Sequence, residues 1–167
     1  MKKLFILLTT LFMLANVSAQ DVDSLQTNPL QAQIDSLSVK LSALQYDHDY
    51  LRCEYDILVI DFKLTNLAQD AGISANELII YSKHDTFDWD FYDSAKNKYE
   101  AQLRLFNALK ESVRNTKEYI ETNSLKFSLF NLSRLKLRCN LLDFAVDIAD
   151  KSLICHKDCL DYYRKSR

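Results

Sequence analysis

LQAQIDSLSVKLSALQYDHDYLRCEYDILVIDF, residues 30–62, carries two interleaved seven-residue repeats. Leu30, Leu37, Leu44, Leu51 and Leu58 form one, and Ile34, Leu41, His48, Tyr55 and Phe62 form the other, three or four places away. A 3.5-residue period keeps two such rows on one side of an α-helix and turned toward a partner helix, so the stretch predicts coiled-coil character over residues 30–65. The partner is either another part of this chain or another chain. Leu30, Ile34, Leu37, Leu41, Leu44, His48 and Leu51 are the candidate interaction seam. His48, between Asp47 and Asp49, stands where a hydrophobe is expected and reads as a polar seam residue that sets register or oligomer number, with a pH switch as the sharper alternative.

Outward from that stretch, Asn28-Pro29 reads as an N-cap followed by proline at the first helical position, and Gly72 as the C-cap that ends the helix. Beyond residue 51, Cys53, Ile57, Val59, Ile60 and Leu64 add apolar side chains on other faces, so the second half of the helix should be the more deeply buried. Ser74-Ala-Asn-Glu77 has the spacing of a capping box and predicts a short helix over 78–81. A third helix is expected from near Asp88 to Thr122-Asn123, with Tyr92, Ala95, Tyr99, Leu103, Phe106, Leu109, Val113 and Ile120 at three- and four-residue spacing. Ser124 is the expected cap of the last helix. That helix carries one apolar face of Leu125, Leu129, Leu132, Leu135, Cys139, Leu142, Val146, Ala149 and Leu153, and a second of Phe130, Leu137, Leu141, Phe144 and Ile148. So broad a stripe suits a central position or two partners. One glycine and one proline in 167 residues leave almost no material for hairpins, which excludes all-β and α/β folds. The expected fold is all-α: three long helices plus one short helix in a single bundle domain over 29–167, with no internal repeat and no dividing linker.

Before residue 29 the composition changes. Met1-Lys2-Lys3 precedes an uncharged run from Leu4 to Ala15, and Val17-Ser18-Ala19 places small residues at the cleavage positions of a secretory signal peptide, 1–19. The run is too short for a membrane-spanning helix, so no stable membrane insertion is expected once the signal is removed. Residues 20–28 read as a flexible polar leader. The formal net charge of −2 becomes −4 when Lys2 and Lys3 leave with the signal, which favours neither nucleic acid nor anionic lipid. The expected location is secreted or periplasmic, in a Gram-negative envelope.

An exported chain meets an oxidising compartment, so the four cysteines, Cys53, Cys139, Cys155 and Cys159, are candidates for disulfides. Cys155 and Cys159, one helical turn apart, could bridge locally if the helix end distorts, and pairing between helices is the equal alternative; if the first and last long helices run parallel, that alternative favours Cys53 with Cys155 or Cys159. Cys155-His156-Lys157-Asp158-Cys159 is a weaker candidate for a metal or redox site, because its spacing fits neither structural zinc nor a Cys-x-x-Cys pair. No metal or other cofactor is therefore expected. The segment 85–93 gathers acids and aromatics, including the single Trp. Acids near a helix start and rings closing a bundle end account for it; Trp89, Asp88, Asp90 and Tyr92 are also a candidate patch for a sugar or small ligand. Asp23-Ser24-Leu25, Asp35-Ser36-Leu37 and Asp93-Ser94-Ala95 resemble the acceptor pattern of a bacterial protein O-glycosylation system, with Ser24 the accessible candidate.

Neither a nucleophile elbow, nor a His-Glu-x-x-His pair, nor a phosphate-binding glycine loop is present in the sequence. The functional expectation is a non-enzymatic protein that works through protein–protein contacts as an oligomeric scaffold, adaptor or chaperone-like holder, its partner being its own copy or another protein. A ligand- or glycan-binding module centred on Trp89 is the alternative.

Overall fold

A computed structural model describes residues 29–84 and 86–166; the signal segment and leader expected over 1–28 lie outside the described residues. Among the described residues are three long helices, α1 (Pro29–Tyr81), α2 (Trp89–Thr122) and α3 (Leu129–Lys165), with one 3-10 turn at Ser124–Lys126. There is no strand among the described residues. The all-α bundle is the fold that forms.

Two boundaries differ from expectation. Helix α1 runs through Gly72 without a break, so no separate short helix exists. A helical glycine costs only about 1 kcal/mol, and here the helix on both sides of it is anchored by Ala71, Ala75 and Leu78, all buried. Ser74 does not cap; its hydroxyl donates back along the same helix to the Asp70 carbonyl at 2.8 Å. At the start of α3 the cap is Ser128 rather than Ser124: the Ser128 hydroxyl accepts from the Asn131 amide at 3.2 Å, and residues 124–126 are spent in the 3-10 turn. Helix α2 starts and stops where the sequence placed it. The Asp88 carboxylate accepts from the Phe91 amide at 3.0 Å, and Asn123 closes the other end through its backbone and side-chain N–H groups to the Tyr119 carbonyl.

The chain divides into two units, residues 1–40 and 41–167. In the first, the described side chains of 30–40 are exposed except for half-buried Ile34. In the second, α1 and α3 run parallel: Glu54 meets Arg134 and Arg138 near one end, and Leu78 packs with Leu160 and Tyr163 near the other. Helix α2 runs the opposite way, with Lys117 on Asp143, Gln102 on His156 and Asp88 on Tyr163. The core stripe of α1 is Cys53, Ile57, Ile60, Leu64, Leu67 and Ala71; that of α3 is Leu135, Cys139, Leu142, Ala149 and Leu153. Phe106, Leu109, Val113 and Ile120 of α2 fill the space between them. Leu125 and Leu129, expected on the core face, are exposed because they precede the first turn of α3 that packs; Leu103 of α2 is exposed as well.

Candidate interaction face

The heptad rows of α1 do not face the core. Within 41–167, Leu51, Tyr55, Leu58 and Phe62 stand two positions behind the buried Cys53, Ile57, Ile60 and Leu64. Two residues of an α-helix are about 200° of rotation, so the seam and the core stripe occupy nearly opposite sides of one helix. Leu41, Leu44 and His48 are exposed on the same rows. The seam residues Leu30 and Leu37 are exposed too, within their own unit. His48 is open to water, its Nδ1 3.7 Å from the Asp49 carboxylate.

Helix α3 repeats the arrangement. Leu137, Leu141 and Phe144 each follow a buried core residue by two positions, Ile148 follows half-buried Val146, and all four are exposed, so the second apolar face read from the sequence is left largely open. These four and the four of α1 are each 52–67% exposed. The two rows meet at Leu58 and Leu141, which line a single groove between α1 and α3 together with Ile57, Asp61, Arg138 and Leu142.

An ion cluster holds that groove. Glu54, buried on α1, accepts from the Tyr50 hydroxyl at 2.6 Å and pairs with Arg134 Nε and Arg138 Nε, each at 3.2 Å. Burial, followed by the Glu54 carboxylate, pushes the Tyr50 hydroxyl above its usual pKa. The cluster ties the two parallel helices at one height, which keeps their apolar rows level. The sequence signals that pointed to it are an acid next to Cys53 within the apolar run of α1 and two arginines one turn apart on the last helix.

At the other end of the bundle the aromatic and acidic segment serves structure. Asp88 is the N-cap, and its amide donates to the Tyr163 hydroxyl at 3.1 Å. Phe87 stacks on Tyr163 with centroids 4.7 Å apart, Phe91 stacks on Tyr81 at 3.8 Å, and Trp89 sits edge-on to Phe87 at 4.9 Å. Tyr92 packs against the same small core of Leu78, Leu160 and Tyr163. Asp90 lies exposed in the first turn of α2.

The cysteines separate into two neighbourhoods, and all four thiols are free. Cys53 and Cys139 are buried, and burial pushes the Cys53 thiol up to about 11. The expected partnership of Cys53 with Cys155 or Cys159 is corrected. The helices do run parallel, but Glu54 stands level with Arg134 and Arg138, so the cysteine beside Cys53 is Cys139. Cys155 and Cys159 neighbour each other one turn apart. His156 engages α2 instead. It is fully buried against α2, where its Nδ1–H donates to Gln102 Oε1 at 2.8 Å and Tyr99 meets the ring edge-on at 5.4 Å. Its three- and four-residue offsets from Leu153 and Leu160 mark it as a core position in the sequence.

Among the described residues no helix is long and apolar enough to cross a membrane. The chain matches no family model, no curated protein and no solved structure.

Proposed function

We propose that this chain is an exported, non-enzymatic protein that works by protein–protein contact in the cell envelope, using the two-helix apolar face of α1 and α3 as its contact surface. One observation carries the reading: eight large apolar side chains lie exposed on α1 and α3, in two rows that meet at the groove of Leu58 and Leu141. At those exposures they present on the order of 1,000 Å², beyond the 300–600 Å² typical of the largest patch on a monomer and enough for one side of a standard protein interface. Arg138 and Asp61 line the groove among apolar side chains, with Arg138 paired to Glu54. Export rests on the signal-peptide pattern at the N-terminus.

The test is photocrosslinking in living cells that produce the protein. With benzoylphenylalanine in place of Phe144, irradiation should give discrete higher-mass adducts; with the same group in place of Asn107, exposed on α2, it should give none. Absence of adducts at Phe144 would remove the reading.

A second reading, binding of a glycan or small ligand at Trp89, Asp88, Asp90 and Tyr92, has in its favour that Trp89 is half exposed beside an acidic side chain. The capping role of Asp88 and the packing of Tyr92 account for two of the four residues without a ligand.

A further inference from the structure

Resting on that reading, we infer that the occupant of the apolar face is a second copy of this chain, packed antiparallel about a two-fold axis at the level of Leu58 and Leu141.

Four of the exposed apolar residues of α1 pair with one another when the helix is reversed. Tyr55 and Phe62 are equidistant from the midpoint between Leu58 and Val59, and so are Leu44 and Ile73, all four exposed and on the same side of the helix. An antiparallel copy of α1 laid on this face therefore sets Tyr55 against Phe62 and Leu44 against Ile73. A two-fold axis makes each of these contacts twice, as an isologous interface requires.

Charge selects the same direction. Two guanidiniums share the one carboxylate of Glu54, which leaves that level of the groove positive. Asp61, exposed about two turns further along α1, lines the groove with a negative charge. A parallel copy opposes Asp61 to Asp61 and the arginine level to itself. The antiparallel copy brings Asp61 to within about a turn of the level of Arg134 and Arg138, where it supplies the missing anion.

The size is also sufficient. The eight side chains of two copies together carry on the order of 2,000 Å² of exposed surface, against roughly 1,600 Å² for a standard stable interface. Parallel α1 and α3 present level rows, so each copy offers two ridges and one groove to the other, and the product is a four-helix layer with α1 over α1 and α3 over α3.

The experiment uses the purified full chain. Light scattering behind a sizing column should give twice the mass of one chain, and Leu58→Asp with Phe144→Asp should give the mass of a single chain at unchanged helix content, since both side chains are exposed. With benzoylphenylalanine in place of Phe62, the dimer-mass adduct should map to the peptide that contains Tyr55. A dimer-mass adduct on any other segment overturns the antiparallel pairing. A single-chain mass at all concentrations overturns the second copy; if adducts at Phe144 in cells persist in that case, the contact reading stands with a different partner, and if they too are absent, both fall.

Discussion

His156 carries the sharpest single-residue consequence of the fold. Its ring is fully buried, with one nitrogen bonded to Gln102, and the other has no hydrogen-bond partner among the described residues. Burial first, and the positive charge of Lys98 second, lower its pKa from 6.5 to about 4. Between those values the unfolded chain binds a proton that the native chain refuses. The contribution is fully present above about 6.5 and is lost as pH falls toward 4, because stability rises with pH wherever the unfolded state holds more protons. Urea denaturation of the native protein and of His156→Gln, compared at about pH 7 and about pH 4.5, should show their stability difference shrinking by on the order of 2 kcal/mol at the lower pH. A difference that does not move with pH would show that the native ring takes up its proton freely. The patterning of α3 places His156 among its core positions, but the partner Gln102 comes from an antiparallel neighbour and is set by packing alone.

At the scale of the element, α1 shows how burial decides where a helix ends. Glycine and a capping-box pattern both argued for a stop after residue 71, and each is a preference of about 1 kcal/mol. Against them stand Ala71, Ser74, Ala75 and Leu78, whose burial requires the helical phase to continue unbroken across Gly72. Gly72 therefore serves no turn, and a Cβ built on it meets nothing within 4 Å. We expect Gly72→Ala to stabilise the protein by about 1 kcal/mol, or roughly 3 °C in thermal midpoint, read by circular dichroism. A loss of stability would mean that the helix does stop there. The boundaries of α2 were legible because there the side-chain cap and the apolar period agree; those of α1 and α3 were less so, because several polar residues near each end were chemically able to cap.

The whole molecule is organised by two apolar stripes on each of α1 and α3, of which the bundle covers one. Ile57 and Leu58 are adjacent in sequence and lie on different sides of that division, 3% and 52% exposed. Ile57→Asp should unfold the bundle, since an unpaired carboxylate in that core costs several kcal/mol. Leu58→Asp should leave helix content intact and change only what the face contacts. Circular dichroism on the two variants checks this directly, and equal loss of structure in both would refute the assignment of the stripes. Both stripes were legible as hydrophobic periodicity; which one faces inward was not. A heptad repeat states that a row will meet something helical, and says nothing of whether that partner belongs to the same chain.

The sequence alone determined the helical class, the number of long helices, the limits of α2 and the existence of paired apolar rows, because these follow from local preference and from the period at which hydrophobes recur. Tertiary structure decided the continuity of α1, the parallel pairing of α1 with α3 through Glu54, the placement of Cys53 beside Cys139, and the outward orientation of the heptad rows. Each of those depends on the rotation and height of one helix against another, and the packing of side chains distant in sequence sets both.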